Sequence, residues 1–301
     1  MTFPYLNETE DLTDAVRATA GGSFIHLTDG ICHYELHSPL QMYSFGEGPG
    51  VEPIVLVHGF SVPYFIWDST FDFLVRSGFR VLRYDLFGRG LSDRPRARYD
   101  IELYIRQLKD LLDALNIIEP VQLVGLSMGG PVAVTFTDRF PERVEKLILL
   151  DPAGAKPVRF SAAVALAKIP LLPELFFGLL SDERLLKNAA ADFFDPALIE
   201  AFIERYRPQM KFKGFKRAIL STVRNGMMGD FSETFRRVGA LNKATLLFWG
   251  RNDTTVPFEH SLAARAALPQ AEFHAIEGAG HIPHYEKPEE VHPILLKFLS
   301  A

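Results

Sequence analysis

One short stretch, residues 121–130, constrains the fold of this chain more than any other. Residues 121–124 read Val-Gln-Leu-Val, an apolar run with β-branched residues that is typical of a buried strand. Residues 125–129 read Gly-Leu-Ser-Met-Gly, and Pro131 then stands near the start of a predicted helix, where its missing N–H costs little. Because a serine on so tight a turn needs small neighbours two positions either side, the stretch predicts a strand, a strained turn carrying Ser127, and a helix.

Strands and helices alternate along most of the chain. Besides residues 121–124, short apolar runs predict strands at residues 21–27, 31–37, 53–57, 79–84, 144–150, 244–249 and 271–276. Helices are predicted at residues 11–20, 65–78, 100–116, from 131 onward, 260–267 and 289–300. Such alternation indicates an α/β fold, a mostly parallel sheet of eight strands with helices on both faces.

The pattern changes in the middle of the chain, between residues 156 and 240, where no buried strand is evident. Helices rich in Leu, Phe and Met are predicted there, at residues 160–168, 174–180, 196–206 and 215–225. We therefore expect a core of residues 1–155 and 240–301, with residues 1–20 as an N-terminal extension, and a helical cap at residues 156–239. Four apolar cap residues would line a pocket or form the cap's own core: Phe176, Phe177, Met227 and Met228.

Composition narrows the classes of function. The formal net charge is −5 and no dense basic run occurs, so no nucleic-acid partner is expected. Cys32 is the single cysteine, which excludes an intrachain disulfide and a cysteine metal cluster, and we predict no metal site. No apolar stretch reaches about 18 residues, so no membrane span is predicted, while a peripheral membrane contact stays open. The acidic N-terminus lacks the features of a signal peptide, and we expect a cytoplasmic protein.

Two further polar residues come after predicted strands and indicate a catalytic role for Ser127. Asp253 comes after residues 244–249, and His281 comes after the last strand in a glycine-rich loop. Active groups of an open α/β sheet gather at the carboxyl ends of its strands. A serine hydroxyl becomes a nucleophile when a histidine takes its proton and a carboxylate orients that histidine. Ser127, Asp253 and His281 are therefore a predicted catalytic triad, with His284 as the rival base and Asp151 as the rival acid.

Acyl transfer also needs N–H donors for the negative charge that develops on the carbonyl oxygen. We assign these donors to the backbone N–H groups of Met128, at the start of the helix, and Phe60, after the strand at residues 53–57. His58 is interpreted as a residue that orders this loop. Three charged residues are interpreted as structural ion-pair partners: Asp85, Arg89 and Asp93.

Together these motifs resemble those of the α/β-hydrolase fold superfamily with a helical cap. The likeness lies in His-Gly-Phe at 58–60, Tyr-Asp-Leu-Phe-Gly-Arg-Gly-Leu-Ser-Asp at 84–93, Gly-Leu-Ser-Met-Gly-Gly at 125–130, Trp-Gly-Arg-Asn-Asp at 249–253 and Gly-His at 280–281. It implies a serine hydrolase of carboxylic esters with apolar acyl groups, like the carboxylesterases and monoacylglycerol lipases. It also implies that the partner is a small-molecule ester and that no cofactor is needed.

The resemblance leaves other functions open. Carbon–carbon bond hydrolases of ring-cleavage products usually carry Asn before the serine and Trp after the histidine, where this chain has Leu126 and Ile282. Cofactor-free perhydrolases share the triad. Receptor-like relatives bind a small molecule with little turnover.

Overall fold

The computed structural model describes residue 5 and residues 7–38, 52–157 and 182–301. Its strands are β1 Ser23–Leu27, β2 Gly30–His37, β3 Ile54–Val57, β4 Val81–Tyr84, β5 Val121–Leu126, β6 Val144–Leu150, β7 Thr245–Gly250 and β8 Glu272–Ile276. They form one sheet in the order β1-β2-β4-β3-β5-β6-β7-β8. β1 pairs with β2 and β2 with β4 in antiparallel fashion, and the remaining neighbours are parallel. The predicted mostly parallel sheet of eight strands is confirmed.

Helices connect these strands and flank the sheet. In the described ranges they are α1 Asp14–Ala18, α2 Asp68–Arg76, α3 Ile101–Ala114, α4 Gly129–Arg139, α5 Asp182–Ala190, α6 Ile199–Tyr206, α7 Phe215–Arg224, α8 Ser232–Ala240, α9 His260–Ala267, α10 Pro283–Glu286 and α11 Pro288–Ser300. The helices predicted at residues 11–20 and 65–78 are shorter in the structure, since the first is α1 Asp14–Ala18 and the second opens with a 3₁₀ turn at Tyr64–Trp67 and ends at Arg76. The chain leaves α2 through Gly78, whose φ of +87° suits glycine. No helix in the described ranges is both long and apolar enough to cross a bilayer.

The sheet is covered on both faces, as parallel strands require. Successive residues of β3 point to opposite sides: Ile54 packs in one buried cluster and Val55 in the other, and both are fully buried. α2 and α11 contribute apolar residues to the cluster around Ile54, and α3, α4, α8 and α9 contribute to the cluster around Val55. These layers hold the carboxyl ends of β3 and β5 to β8 in fixed positions at one edge.

Residues 182–240 form four helices, α5 to α8, with no strand among them. Phe202, Tyr206 and Phe215 are fully buried in the same cluster as Ile54, whereas α8 packs on α4 and α9. Met227 and Met228 are buried in the opposite cluster, which favours their interpretation as packing residues. The helices predicted at 160–168 and 174–180, with Phe176 and Phe177, lie outside the described residues. A separate cap at residues 156–239 stays a prediction.

The N-terminal extension is attached to the 182–240 segment. The Glu10 N–H donates to the carbonyl oxygen of Lys211 at 3.0 Å, and the Lys213 N–H donates to that of Glu10 at 2.8 Å. The Glu8 carboxylate accepts the N–H groups of Gly214 and Lys216 at the start of α7. Negative charge at a helix N-terminus is stabilised by the unpaired N–H groups there, so the extension fixes α7 from outside.

Candidate active site

Ser127 stands on a strained turn between β5 and α4. Its φ is +54°, in the left-handed region that residues with a side chain rarely adopt. A Cβ atom at Gly129 would lie 2.4 Å from the carbonyl oxygen of Val57, and one at Gly125 would lie 2.5 Å from that of Gly129. α4 therefore begins almost in contact with β3 and β5, and this close approach is why glycine is needed on both sides of Ser127.

Gly129→Ala tests this close approach. We expect the variant to lose about 1–3 kcal/mol of unfolding free energy, because the added methyl meets backbone that has no flexible end to move aside. Chemical denaturation measures the loss. Gly21→Ala is the matched control, since a Cβ there meets nothing within 4 Å. An unfolding midpoint equal to that of the wild type would show that the turn adapts to the methyl.

Ser127, His281 and Asp253 form one hydrogen-bonded chain. His281 Nε2 lies 2.7 Å from Ser127 Oγ, and His281 Nδ1 lies 2.7 Å from Asp253 Oδ2. The other Asp253 oxygen accepts the N–H groups of Thr255 and Val256, at 2.8 and 2.9 Å. All three side chains are buried and stand after β5, β7 and β8. The fold thus brings together three residues that are far apart in the sequence, in the geometry of a nucleophile, a base and an orienting acid.

Acidic groups around His281 set its charge. Burial by itself lowers the pKa of His281, but the carboxylates of Asp253, Asp192 and Glu286 outweigh this and raise it to about 9. Asp253 contributes most of the increase, through its charge and its hydrogen bond. These carboxylates therefore stabilise the imidazolium that forms when His281 takes up a proton, while the neutral ring that can accept the proton prevails only above about pH 9.

The two rival residues take different places from the triad. His284 lies in α10 and packs on the Trp67 ring, with the ring centroids 4.4 Å apart. Burial lowers the pKa of His284 to about 3, so this ring stays neutral. Asp151 comes directly after β6, and its Oδ1 accepts the N–H of Gly250 rather than a proton from His281. The structure thus places His281 and Asp253, and neither rival, in one hydrogen-bonded chain with Ser127, while their catalytic roles stay predictions.

The loop at His58 lies against the nucleophile. A Cβ atom at Gly59 would come within 3.1 Å of Ser127 Cβ. His58 Nε2 accepts the N–H of Leu86 at 2.9 Å, so Nδ1 carries the proton and donates to the carbonyl oxygen of Gly59, also at 2.9 Å. Burial lowers the pKa of His58 to about 4, which keeps this tautomer neutral. His58 is thus a loop-ordering residue, as its position in the sequence indicated.

That hydrogen bond bears on the predicted oxyanion donor. The Gly59 carbonyl belongs to the same peptide group as the Phe60 N–H, and a hydrogen bond to one end of a peptide polarises the other. Neither the Phe60 N–H nor the Met128 N–H donates to an acceptor within the described ranges. Within the described residues, both groups are therefore available as donors to a bound oxygen atom.

Arg89 corrects one sequence interpretation. Asp85 and Asp93 do form ion pairs, with His33 at 2.7 Å and Arg17 at 2.5 Å. Arg89 is fully buried but donates to uncharged oxygens, those of Phe60, Phe87, Tyr104 and Thr222. The interpretation was wrong because residue type reveals the charge and not the partner. The bond from Arg89 Nε to the Phe60 carbonyl, 2.7 Å long, instead holds the loop that carries a candidate oxyanion donor.

Two acidic residues were missed by sequence reasoning. The Asp192 carbonyl oxygen accepts the His281 N–H at 2.7 Å, and its carboxylate accepts the Thr255 hydroxyl at 2.6 Å. The Glu286 carboxylate accepts the Gly280 N–H at 2.6 Å and also the N–H groups of Phe194 and Asp195. Residues 192–195 are thereby fastened to the His281 loop. Neither acid stands in a motif, so the sequence carries no signal for this contact.

One cluster has the donor types of a metal site. Asp151, Asp253 and His281 place one ligand atom each within 4.8 Å of one another. Both ring nitrogens of His281 are already engaged, with Asp253 and with Ser127. The cluster is better described as part of the proton-transfer chain, and the absence of a metal stays a prediction.

Comparison with known proteins identifies the family of this chain. The alpha/beta hydrolase family matches residues 54–294. The chain belongs to that family. An uncharacterized protein of Mycobacterium tuberculosis is 30% identical over 269 residues, covering 85% of this chain and 76% of the relative. A 2-hydroxy-6-oxononadienedioate/2-hydroxy-6-oxononatrienedioate hydrolase of Klebsiella pneumoniae is 31% identical over 265 residues, covering 84% of this chain and 88% of the relative.

A solved esterase structure supports the same fold. The esterase of Exiguobacterium antarcticum superposes with a TM-score of 0.76 at 19% identity, covering 93% of this chain and 100% of the esterase. The chain described here is therefore a hydrolase of the α/β-hydrolase fold, with the eight-stranded sheet described above.

Proposed function

We propose that this protein is a serine hydrolase that cleaves carboxylic esters through an acyl-enzyme intermediate. The observation that carries the proposal is the continuous chain from Ser127 Oγ through His281 to Asp253, with 2.7 Å at each of its two links. Ser127 Oγ attacks the ester carbonyl carbon while His281 Nε2 takes the hydroxyl proton. His281 then gives that proton to the departing alcohol, and a water molecule repeats the sequence to release the acid. Asp253 holds the ring in the tautomer that both steps need.

Negative charge on the carbonyl oxygen is stabilised by the N–H groups of Phe60 and Met128. One comes from the loop after β3 and the other from the start of α4, where unpaired N–H groups favour an anion. His58 and Arg89 hold the first donor in place from its two neighbouring carbonyl groups. Such preorganised donors contribute about 3–4 kcal/mol each to the stabilisation of a transition state.

The charges around the triad favour a substrate without a carboxylate near the reacting carbon. The strongest charges acting on His281 come from Asp253, Asp192 and Glu286, all of them acidic. Buried Arg89 is already bonded to four protein oxygens or hydroxyls and is turned toward the loop. The positive charge of a protonated His281 is already paired with Asp253. An uncharged ester meets no repulsion from the acidic groups, whereas a second carboxylate on the substrate brings like charge toward them.

The second candidate is carbon–carbon bond hydrolysis. It is favoured by the name of the Klebsiella pneumoniae relative, a 2-hydroxy-6-oxononadienedioate/2-hydroxy-6-oxononatrienedioate hydrolase. Two neighbours of the triad count against it. Leu126 and Ile282 are buried apolar residues, and they stand where such hydrolases usually carry Asn and Trp. They offer no hydrogen bond to a keto or carboxylate oxygen.

A matched pair of substrates tests the ester proposal and its charge argument. p-Nitrophenyl butyrate and p-nitrophenyl hemisuccinate have acyl chains of the same length, and the second ends in a carboxylate. We expect kcat/KM to be at least about 10-fold higher for the butyrate, because the anion is repelled by the acidic groups near His281. We also expect the butyrate to exceed 2-hydroxy-6-oxononadienedioate by about 100-fold or more. A higher kcat/KM for the dienedioate would reverse the choice between the two reactions.

A further inference from the structure

We propose that Asp151 is a positioning residue that carries a proton and donates a hydrogen bond to the Asp253 carboxylate. The proposal deepens the proposed function, since it adds a fourth group to the chain of Ser127, His281 and Asp253. Asp151 does not contact the substrate in this scheme. It acts through Asp253 on the basicity of His281.

The surroundings of Asp151 require an explanation for one of its oxygens. Asp151 is fully buried at the end of β6, with φ of +44°. Oδ1 accepts the Gly250 N–H at 2.8 Å. Oδ2 is also buried, and no donor reaches it within the described ranges. A buried carboxylate oxygen without a donor is costly, whereas a protonated oxygen needs only an acceptor.

Asp253 supplies that acceptor. Asp151, Asp253 and His281 each place one oxygen or nitrogen atom within 4.8 Å of those of the other two. Two carboxylates this close in a buried site do not both ionise, because each disfavours the charge on the other. Asp253 is the better place for the charge: it accepts two backbone N–H groups and pairs with His281, while Asp151 accepts one N–H. The shared proton therefore belongs on Asp151.

Electrostatics agree with the geometry. Burial first, and then the charge of Asp253, raise the pKa of Asp151 well above its usual value. Glu286 raises it further, while the Gly250 N–H opposes the change. A buried carboxyl with this surrounding stays neutral at physiological pH.

The groups that face His281 come from several elements. Asp253 approaches from the loop after β7, Asp192 from the segment after α5, and Glu286 from α10. His284, also in α10, stays neutral because burial lowers its pKa. Against this fixed set, Asp151 would change His281 in opposite directions depending on its proton. A neutral donor draws electron density from Asp253 and weakens His281 as a base, whereas an ionised Asp151 would strengthen it.

The first test uses Asp151→Asn and does not depend on activity. Asparagine keeps the shape, tolerates the left-handed backbone, accepts the Gly250 N–H and donates to Asp253. In the wild type the raised pKa of Asp151 makes the contribution of this residue to stability greatest below its unfolded pKa of about 3.9. This contribution falls as the pH rises above that value, because folding must then take up a proton. The variant takes up none. We expect the Tm of Asp151→Asn to increase relative to that of the wild type as the pH is raised from 4 to 8.

Asp72→Asn is the control, because Asp72 is exposed on α2. Its Tm difference from the wild type should not grow with pH in this way. A Tm difference for Asp151→Asn that stays constant between pH 4 and pH 8 would show that Asp151 is ionised in the folded protein, and would overturn the proposal.

The second test measures the titration of His281 by NMR of histidine labelled with ¹⁵N. With Asp151→Asn we expect the midpoint to stay where it is in the wild type, because one neutral donor replaces another. With Asp151→Ala the donor is lost, and we expect the midpoint to rise by about 0.5–1 pH unit. A fall with Asp151→Asn would reveal a lost negative charge, and no change with Asp151→Ala would show that Asp151 has no influence on His281. Absence of ester turnover in the wild type would refute the proposed function without changing either result for Asp151.

Discussion

Ser127→Ala should lower kcat on p-nitrophenyl esters by about 10⁴-fold or more, with little change in the fold. The substitution removes Ser127 Oγ, the atom proposed to attack the carbonyl carbon. It deletes one hydrogen bond, that to His281 Nε2, and leaves the strained turn in place because Cβ is kept. The remaining turnover would come from the N–H donors of Phe60 and Met128. Steady-state kinetics with a thermal unfolding scan measures both parts of the expectation.

Covalent labelling sharpens this prediction. A fluorophosphonate should modify the wild type at Ser127 and leave Ser127→Ala unmodified, as measured by mass spectrometry of the intact protein and of its peptides. Ser77→Ala is the matched control, since Ser77 is exposed and bonds only to the Phe73 carbonyl at the end of α2. It should label and turn over like the wild type. Wild-type turnover in Ser127→Ala would refute the nucleophile, and a receptor-like protein with an inactive triad would not label at all.

Asp253→Asn should lower kcat by about 10⁴-fold and also move the pH profile of the activity that remains. The base works when His281 is deprotonated, so wild-type kcat/KM should rise with pH and level off above about 9, the pKa to which the acidic groups raise His281. Without the Asp253 charge, burial has more weight and lowers the pKa of His281. The rising limb should therefore move to lower pH, which kcat/KM measured between pH 5 and pH 10 would detect.

Glu277→Gln is the matched control for this shift. Glu277 lies in the same loop as His281, but its side chain is exposed and pairs with Arg251. Its charge is screened by water and salt, so the limb should stay in place. A limb that is equally displaced in Glu277→Gln would point to a general change of charge. A limb that is unmoved in Asp253→Asn would remove Asp253 from the proposed triad.

Local pattern was sufficient for the strands and for the turn at Ser127. Apolar runs such as residues 53–57 and 144–150 can be recognised as strands, because a strand buried on both faces has few polar positions. The helix predicted at residues 65–78 was less accurate at its ends, because its 3₁₀ entry depends on how Tyr64 meets Asp85. Two helices of the 182–240 segment were also predicted from the sequence. The one at residues 196–206 is α6 with its preceding 3₁₀ turn, and the one at residues 215–225 is α7.

The candidate site was likewise predictable from the sequence only in part. Ser127, Asp253 and His281 could be selected because each comes after a strand, and the carboxyl ends of parallel strands meet at one edge of the sheet. His58 was recognised as an ordering residue, but its tautomer depends on the Leu86 N–H, which only the folded chain brings near. The partners of Arg89 were misjudged for the same reason, because the oxygen atoms that accept its hydrogen bonds belong to residues on three other segments.

By itself the sequence determined the class of the fold and selected the candidates for nucleophile, base and acid, because periodicity and the order of motifs are properties of neighbours along the chain. Only the tertiary structure decided which groups surround them. Asp192 and Glu286 reach His281 from elements with no motif of their own, and Asp151 stands beside Asp253 because β6 and β7 are neighbours in the sheet. Such contacts depend on which strands pair and how a distant segment packs over their ends, so the charge of a buried group can be judged only after the chain has folded.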